Sequence, residues 1–312
     1  MNTKKYSNFK IWCSEIHSLF SVPKGITMPT KADTRKYNNL LSTEKEKSEE
    51  ELNFLKKYSD RVALFNDPPV SKSTINSLLR QYGWKVYKKK IALTGGYLPS
   101  FLCKGSDLEI EAVSLLSKID DENYKLCSEN IENQYILGRA DVISDKKVID
   151  LKISWNVNSF LRARISKLDA KYWYQMQGYM ELYDLDSAEV VFLLLNTPEE
   201  LIEKEKVRLL NRFMMGEIDR DKYELEIGNI ESAFTYENIP LKKRHFRYKI
   251  QREPKIMDKI YKRVDKSRLW LKEFERSMRK NSFVVPSDLY IDAEENNIEL
   301  DPSNSCQINT GG

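Results

Sequence analysis

Val148-Ile149-Asp150-Leu151-Lys152-Ile153 alternates apolar and charged side chains from Ile149 onward, the pattern of a strand with one face in a core. Read as a strand, it sends Ile149, Leu151 and Ile153 to one side and Asp150 and Lys152 to the other. Upstream, Tyr135-Ile-Leu-Gly-Arg-Ala-Asp-Val-Ile143 reads as one preceding strand, and Ser144-Asp-Lys-Lys147 as the turn between the two. Downstream, the spacing predicts a helix from about Ala170 to Tyr183, then a buried strand over Val190 to Leu195. Strands separated by helices predict an α/β fold, with helices packed against a mixed sheet.

The first 100 residues read as helices and loops. Phe9 to Phe20 is expected to form a short amphipathic helix, Ser42 to Tyr58 another, and Ser71 or Ser73 to begin a third after the break at Asp67-Pro68-Pro69. Gly105 to Ile119 places Leu108, Ala112, Leu115 and Leu116 at helical spacing. Thr197 is expected to cap a long charged helix with Pro198 in its first turn. A short strand near His245 to Lys249 precedes a last helix with an apolar stripe of Ile256, Ile260, Val264 and Trp270. From Pro286 no core pattern continues, and residues 286–312 read as an acidic, flexible tail.

Apolar residues make up 41% and charged residues 31%, a composition that supports a folded core. No apolar run approaches the roughly 20 residues needed to span a bilayer, and no signal-peptide pattern opens the chain, so cytoplasmic residence is expected. Cys13, Cys103, Cys127 and Cys306 are scattered without a CxxC pair, which argues against zinc, iron–sulfur and disulfide frameworks. Neither GxGxxG nor GxxxxGK occurs, and Thr94-Gly95-Gly96 reads only as a turn. The net charge is only +4, but basic residues outnumber acidic ones from Leu241 to Asn281, a distribution that attracts a polyanion.

The chemistry centres on the strand pair. Asp141 ends the first strand and can return beside Asp150 across the turn. Two converging carboxylates repel unless a cation lies between them, and their hard oxygens suit Mg²⁺ or Mn²⁺. The Leu151 carbonyl offers one more oxygen. Lys152 is suited to place the attacking water or to stabilise charge on a scissile phosphate, while metal-activated water supplies the nucleophile. The plainer reading of Asp150 and Lys152 taken alone is a surface ion pair on a half-exposed strand. Glu109 and Glu111 lie on the preceding helix, and Glu109 is expected to approach closely because Gly105 is small. Lys171, Gln175 and Tyr179 recur at i, i+4 and i+8, so they share a helical face.

At these residues the sequence resembles the PD-(D/E)xK nuclease superfamily, and within it the phage-type exonucleases related to lambda exonuclease and the YqaJ group. The matching stretches are Lys104 to Ala112, Gly138 to Asp141, Ile149 to Ser154 and Tyr174 to Met180, in the family's order. The resemblance implies a restriction-endonuclease-like core over residues 101–285, with a helical region at 1–100 packed on it and a basic C-terminal helix. It implies that Glu109, Asp141 and Asp150 hold Mg²⁺ (with Mn²⁺ as a substitute), that Lys152 is catalytic, and that Gln175 supports them. Arg139, Ser154 and Tyr179 are implied near the substrate. Ser71 and Lys72, together with Trp12 to Ser14, correspond loosely to elements where DNA enters. Duplex DNA digested from its 5′ end is the implied substrate, with a homo-oligomer and a single-strand annealing or replication protein as partners, in the host cytoplasm if the chain is phage-encoded. Ala140 stands where the family often has proline, and the second acid is Asp150 rather than glutamate. An endonuclease built on the same site, a catalytically silent DNA-binding or phage structural protein, and a small-phosphoester hydrolase are the alternatives.

Overall fold

The computed structural model describes residues 9–23, 26–83, 86 and 100–279. The expected turn at Thr94, the basic residues Lys85 and Lys88 to Lys90, Cys306 and the acidic tail lie outside these. The described residues form two compact units, one of residues 9–17, 82–83, 86 and 100–265 and the other of residues 18–23, 26–81 and 266–279. No helix among the described residues is long and apolar enough to cross a membrane.

The first unit carries two sheets. In one, β3 (Ile136–Gly138) lies between β1 (Ile11–Trp12), parallel to it, and β2 (Ile131–Glu132), antiparallel. The other runs in the order β4 (Val142–Ile143), β5 (Val148–Ile153), β6 (Ser187–Leu193) and β7 (His245–Gln251). Strands β5 and β6 are parallel, and the outer pairs are antiparallel. A parallel pair needs a crossover, supplied here by α6 (Val157–Ile165) and α7 (Ala170–Tyr183). This is the mixed sheet flanked by helices that the sequence predicts.

The alternation in β5 sets the two layers. Ile149, Leu151 and Ile153 face a core shared with Val191 and Leu193 of β6 and with Leu108, Ala112 and Leu116. The last two belong to α5 (Glu109–Asp120). Helix α7 covers the other face, lying against β3, β5 and β6. Asp169 caps α7 by accepting a hydrogen bond from Lys171 N, and Asp184 ends it in the left-handed region at φ 51°. Its approach to β3 is close: a Cβ on Gly178 would lie 2.6 Å from Ile16 Cδ1, and one on Gly138 would lie 2.7 Å from Tyr179 Cε1.

Several sequence expectations are corrected. The run from Tyr135 to Ile143 is not one strand but β3 and β4, in different sheets. The Ala140 N–H donates to the Tyr183 hydroxyl (3.4 Å) instead of extending a ladder. Phe9 to Phe20 forms β1 followed by a 3₁₀ helix at Cys13–Phe20, because Ile11 N pairs with Tyr135 O. The helix expected from Gly105 is two, α4 (Ser100–Asp107) and α5, separated at buried Leu108. Thr197 caps nothing. Pro198 occupies the N-cap without a side-chain bond, and the buried Thr197 hydroxyl has no partner. The charged segment that follows is a pair of packed helices, α8 (Glu199–Met214) and α9 (Arg220–Phe234). Helix α10 (Pro254–Arg279) buries Ile256, Ile260, Val264 and Trp270, as the stripe predicts.

In the second unit, α1 (Lys31–Ser42) packs on α2 (Glu49–Asn66), with Tyr37 stacked on Tyr58 at 4.1 Å. The single helix expected over Ser42 to Tyr58 is therefore interrupted. Ser48 begins α2 through a reciprocal capping box with Glu51. Ser71 accepts from Thr74 N at the start of α3 (Lys72–Tyr82), as the sequence predicts.

Candidate active site

A cleft of about 730 Å³ opens beside β5, and Glu109, Asp141, Asp150, Leu151, Lys152, Ser154, Gln175 and Tyr179 all line it. Residues separated by up to 70 positions thus meet in one place. Asp141 Oδ2 accepts from Leu151 N at 2.6 Å, which ties the end of β3–β4 to β5 next to Asp150. Asp150 is buried, and its Oδ1 accepts from Gln175 Nε2 at 3.2 Å. Gln175 Nε2 also reaches the Tyr179 hydroxyl at 3.1 Å, so one face of α7 supports the strand carboxylate.

Lys152 Nζ lies 2.6 Å from Asp150 Oδ2. That oxygen is buried without a partner in hydrogen-bonding geometry, so the contact is a charge pair rather than an aligned bond. Burial alone would push the Lys152 ammonium down, but Asp150 and Asp141 outweigh it and hold the group above its ordinary value. Asp141 moves up instead. Burial and the negative charge of Asp150 raise its carboxyl to about 7. The charge of Asp150 thus opposes ionisation of Asp141.

This donor set fits a hard divalent cation: oxygen ligands only, one buried carboxylate oxygen without an aligned donor, and a neighbouring acid reluctant to ionise. Yet among the described residues no three His, Cys, Asp or Glu side chains are drawn tightly enough to hold an ion unaided. Glu109 lines the cleft, but its carboxylate stands 3.8 Å from Arg139. A Cβ on Gly105 would meet nothing within 4 Å, so the close approach expected from that glycine is not what places Glu109.

The remaining expected residues divide. Ser154 is buried at the cleft and donates its N–H to Leu193 O at 2.8 Å. Glu111 is exposed and does not line the cleft. Ser71 and Lys72 belong to the second unit, where Ser71 is buried against Thr74 and Lys72 is exposed. The basic stretch after Leu241 is partly consumed inside the fold. Arg244 Nε donates to Leu194 O, and Arg247 pairs with Asp120 and buried Glu189.

Sequence reasoning did not single out Tyr172, Phe192 or Lys104. Tyr172 and Phe192 line the cleft. Tyr172 precedes Gln175 by three and Tyr179 by seven, a spacing that already puts it on their stripe. Phe192 is visible only through the pairing that sets it opposite Lys152. Lys104 is fully buried, donates to Trp155 O at 3.0 Å, and is pushed down to about 7 by burial.

Neither a protein-family profile nor a curated protein matches the chain. Solved structures do resemble it. A phage-related exonuclease from Haemophilus somnus 129PT aligns with a TM-score of 0.56 and 22% identity, over 87% of this chain and 97% of that one. An alkaline exonuclease from Laribacter hongkongensis, also solved in complex with dAMP, aligns with a TM-score of 0.48 and 12% identity, over 89% of this chain and 97% of that one. The first likeness shows a shared fold, the α/β arrangement of a phage-type exonuclease.

Proposed function

We propose that this chain hydrolyses DNA phosphodiester bonds with the help of a divalent cation, and that it acts as an exonuclease on duplex ends in recombination or genome processing. The observation that carries this reading is the pairing of Asp141 with Asp150 beside Lys152 in one open cleft. The fold shared with the phage-related exonuclease supports it.

Asp141 and Asp150 would hold Mg²⁺, or Mn²⁺ in its place, with Glu109 and the Leu151 carbonyl as further oxygens. When bound, the cation supplies Lewis acidity toward phosphate and water. Lys152 presents a permanent positive charge to the phosphate, where charge builds as the bond breaks. Gln175 orients the Asp150 carboxylate, and Tyr179 holds Gln175. Arg139 and Ser154 take neighbouring phosphates, with Arg139 released from Glu109. Digestion from the 5′ end, a homo-oligomer and a single-strand annealing partner belong to this proposal.

The test compares linear with covalently closed circular duplex DNA in Mg²⁺, with EDTA and Asp150→Ala controls. Progressive loss of the linear substrate alone is expected, and labelled ends report polarity. Cutting of the closed circle would make the chain an endonuclease. No metal-dependent cleavage of either substrate would overturn the reading.

A further inference from the structure

Lys152 is held from two sides, and only one of them is a charge. Its ammonium lies 2.6 Å from Asp150 Oδ2 and 4.9 Å from the centre of the Tyr172 ring. That ring is itself fixed. It meets Phe192 in a T-shaped pair with centroids 6.2 Å apart, and Phe192 stacks on Phe246 at 4.9 Å with only 3° between the planes. Phe192 is also the residue paired with Lys152 across β5 and β6, and Phe246 the one paired with Phe192 across β6 and β7. The sheet register therefore aligns a lysine and two aromatic rings in a row, and α7 adds Tyr172 to it.

We propose that Tyr172 is a positioning residue for Lys152, its ring holding the ammonium at the phosphate end of the cleft. The inference rests on the nuclease reading above. A lysine side chain is long and rotatable, so a tether is needed to keep its charge in one place. Asp150 is a poor sole tether, because a cation beside it competes for the same oxygen. An aromatic face attracts an ammonium through its quadrupole and takes no part in that competition. The same ring carries Lys171 Nζ at 4.7 Å, at the exposed rim. Tyr172 thus contacts both the inner ammonium and a solvent-facing one.

The experiment compares wild type with Y172F and Y172L. Steady-state cleavage of linear duplex DNA gives kcat and KM, and protein labelled with ¹³C at lysine Cε gives the Lys152 signal. In the wild type that signal is expected to be shifted upfield by the ring. Y172F is expected to keep the shift and the kcat. Y172L is expected to lose the shift and to lower kcat about 3- to 30-fold at nearly constant KM, the range that a cation–π contact spans. A raised KM at unchanged kcat would overturn the proposal in favour of a substrate contact, as would an unshifted Lys152 signal in the wild type. If the wild type cleaves no DNA, the nuclease reading fails, and the ring-current shift still decides whether the ring holds the lysine. That shift needs no variant that risks misfolding.

Discussion

Gln175 Nε2 lies 3.2 Å from Asp150 Oδ1, and this one bond joins the crossover helix α7 to the strand that precedes it. Asp150 is 2% exposed, and the groups that meet its carboxylate come from α7 and from Lys152. A buried carboxylate with an amide on one oxygen and an ammonium beside the other keeps its orientation when water cannot solvate it. The same arrangement makes each partner's removal costly in a different way.

Asp150→Asn keeps the shape and loses the charge. We expect cleavage to fall by about three orders of magnitude, a loss typical of removing a centre of charge stabilisation, with the fold retained by circular dichroism. Lys152→Ala should abolish cleavage as well and also destabilise the protein, because it leaves the buried carboxylate without its cation. Near wild-type rates in either variant would remove the site from consideration.

Asp141 makes the metal-free protein sensitive to pH. Its folded carboxyl is raised to about 7 by burial and by Asp150, well above an unfolded aspartate. The folded state therefore binds the extra proton, and stability declines as pH rises from about 4 to about 7. Asp141→Asn removes that decline while leaving an oxygen for Leu151 N. In EDTA, urea unfolding should show the variant more stable than wild type by about 1–3 kcal/mol at pH 8 and little different at pH 4. Equal stability at both values would mean that the two carboxylates do not oppose each other.

Lys104 acts in a different window and with the opposite slope. Burial pushes its folded value down to about 7. Between about 7 and 10 the unfolded chain binds a proton that the folded one does not, so stability rises with pH across that range. Lys104→Met removes the dependence. Relative to wild type it should gain on the order of 2–3 kcal/mol between pH 9 and pH 6.5, measured by denaturant unfolding. A parallel pair of stability–pH curves would show that the ammonium is solvated in the folded state.

Gly178 and Gly138 let α7 approach β3 across Cys13, whose Sγ would lie 2.9 Å from a Cβ at Gly178. Gly178→Ala forces the methyl against Ile16 as well, so something in the packing shifts. A loss of about 1–3 kcal/mol is expected, the usual cost of overpacking. Because Gln175 lies one turn away on the same helix, cleavage should fall more than stability alone explains when measured where the variant is still fully folded. Unchanged melting temperature and activity would argue against a tight seam.

Much of this arrangement is legible in the sequence. The alternation from Ile149 to Ile153 places Asp150 and Lys152 on one face, and the folded chain keeps them there. The stripe of Gln175 and Tyr179 and the bounds of α7 follow from helical spacing, and the structure adds the Asp169 cap at its start. The features that escape a sequence reading have a common cause. The break at Ala140 depends on Tyr183, 43 residues away, and the tether of Lys152 depends on Tyr172 and on Phe192, brought in by β6.

Local periodicity, then, was enough to determine which side chains share a face, because the side-chain repeat of a strand or helix is fixed by backbone geometry. Tertiary structure alone decided which of those faces meet and which charges lose their water. Glu109 carries the same carboxylate as Asp150, but it stays half exposed beside Arg139 while Asp150 is sealed under α7. The difference comes from long-range packing, since desolvation is a property of the whole enclosure rather than of the residue or its neighbours in sequence.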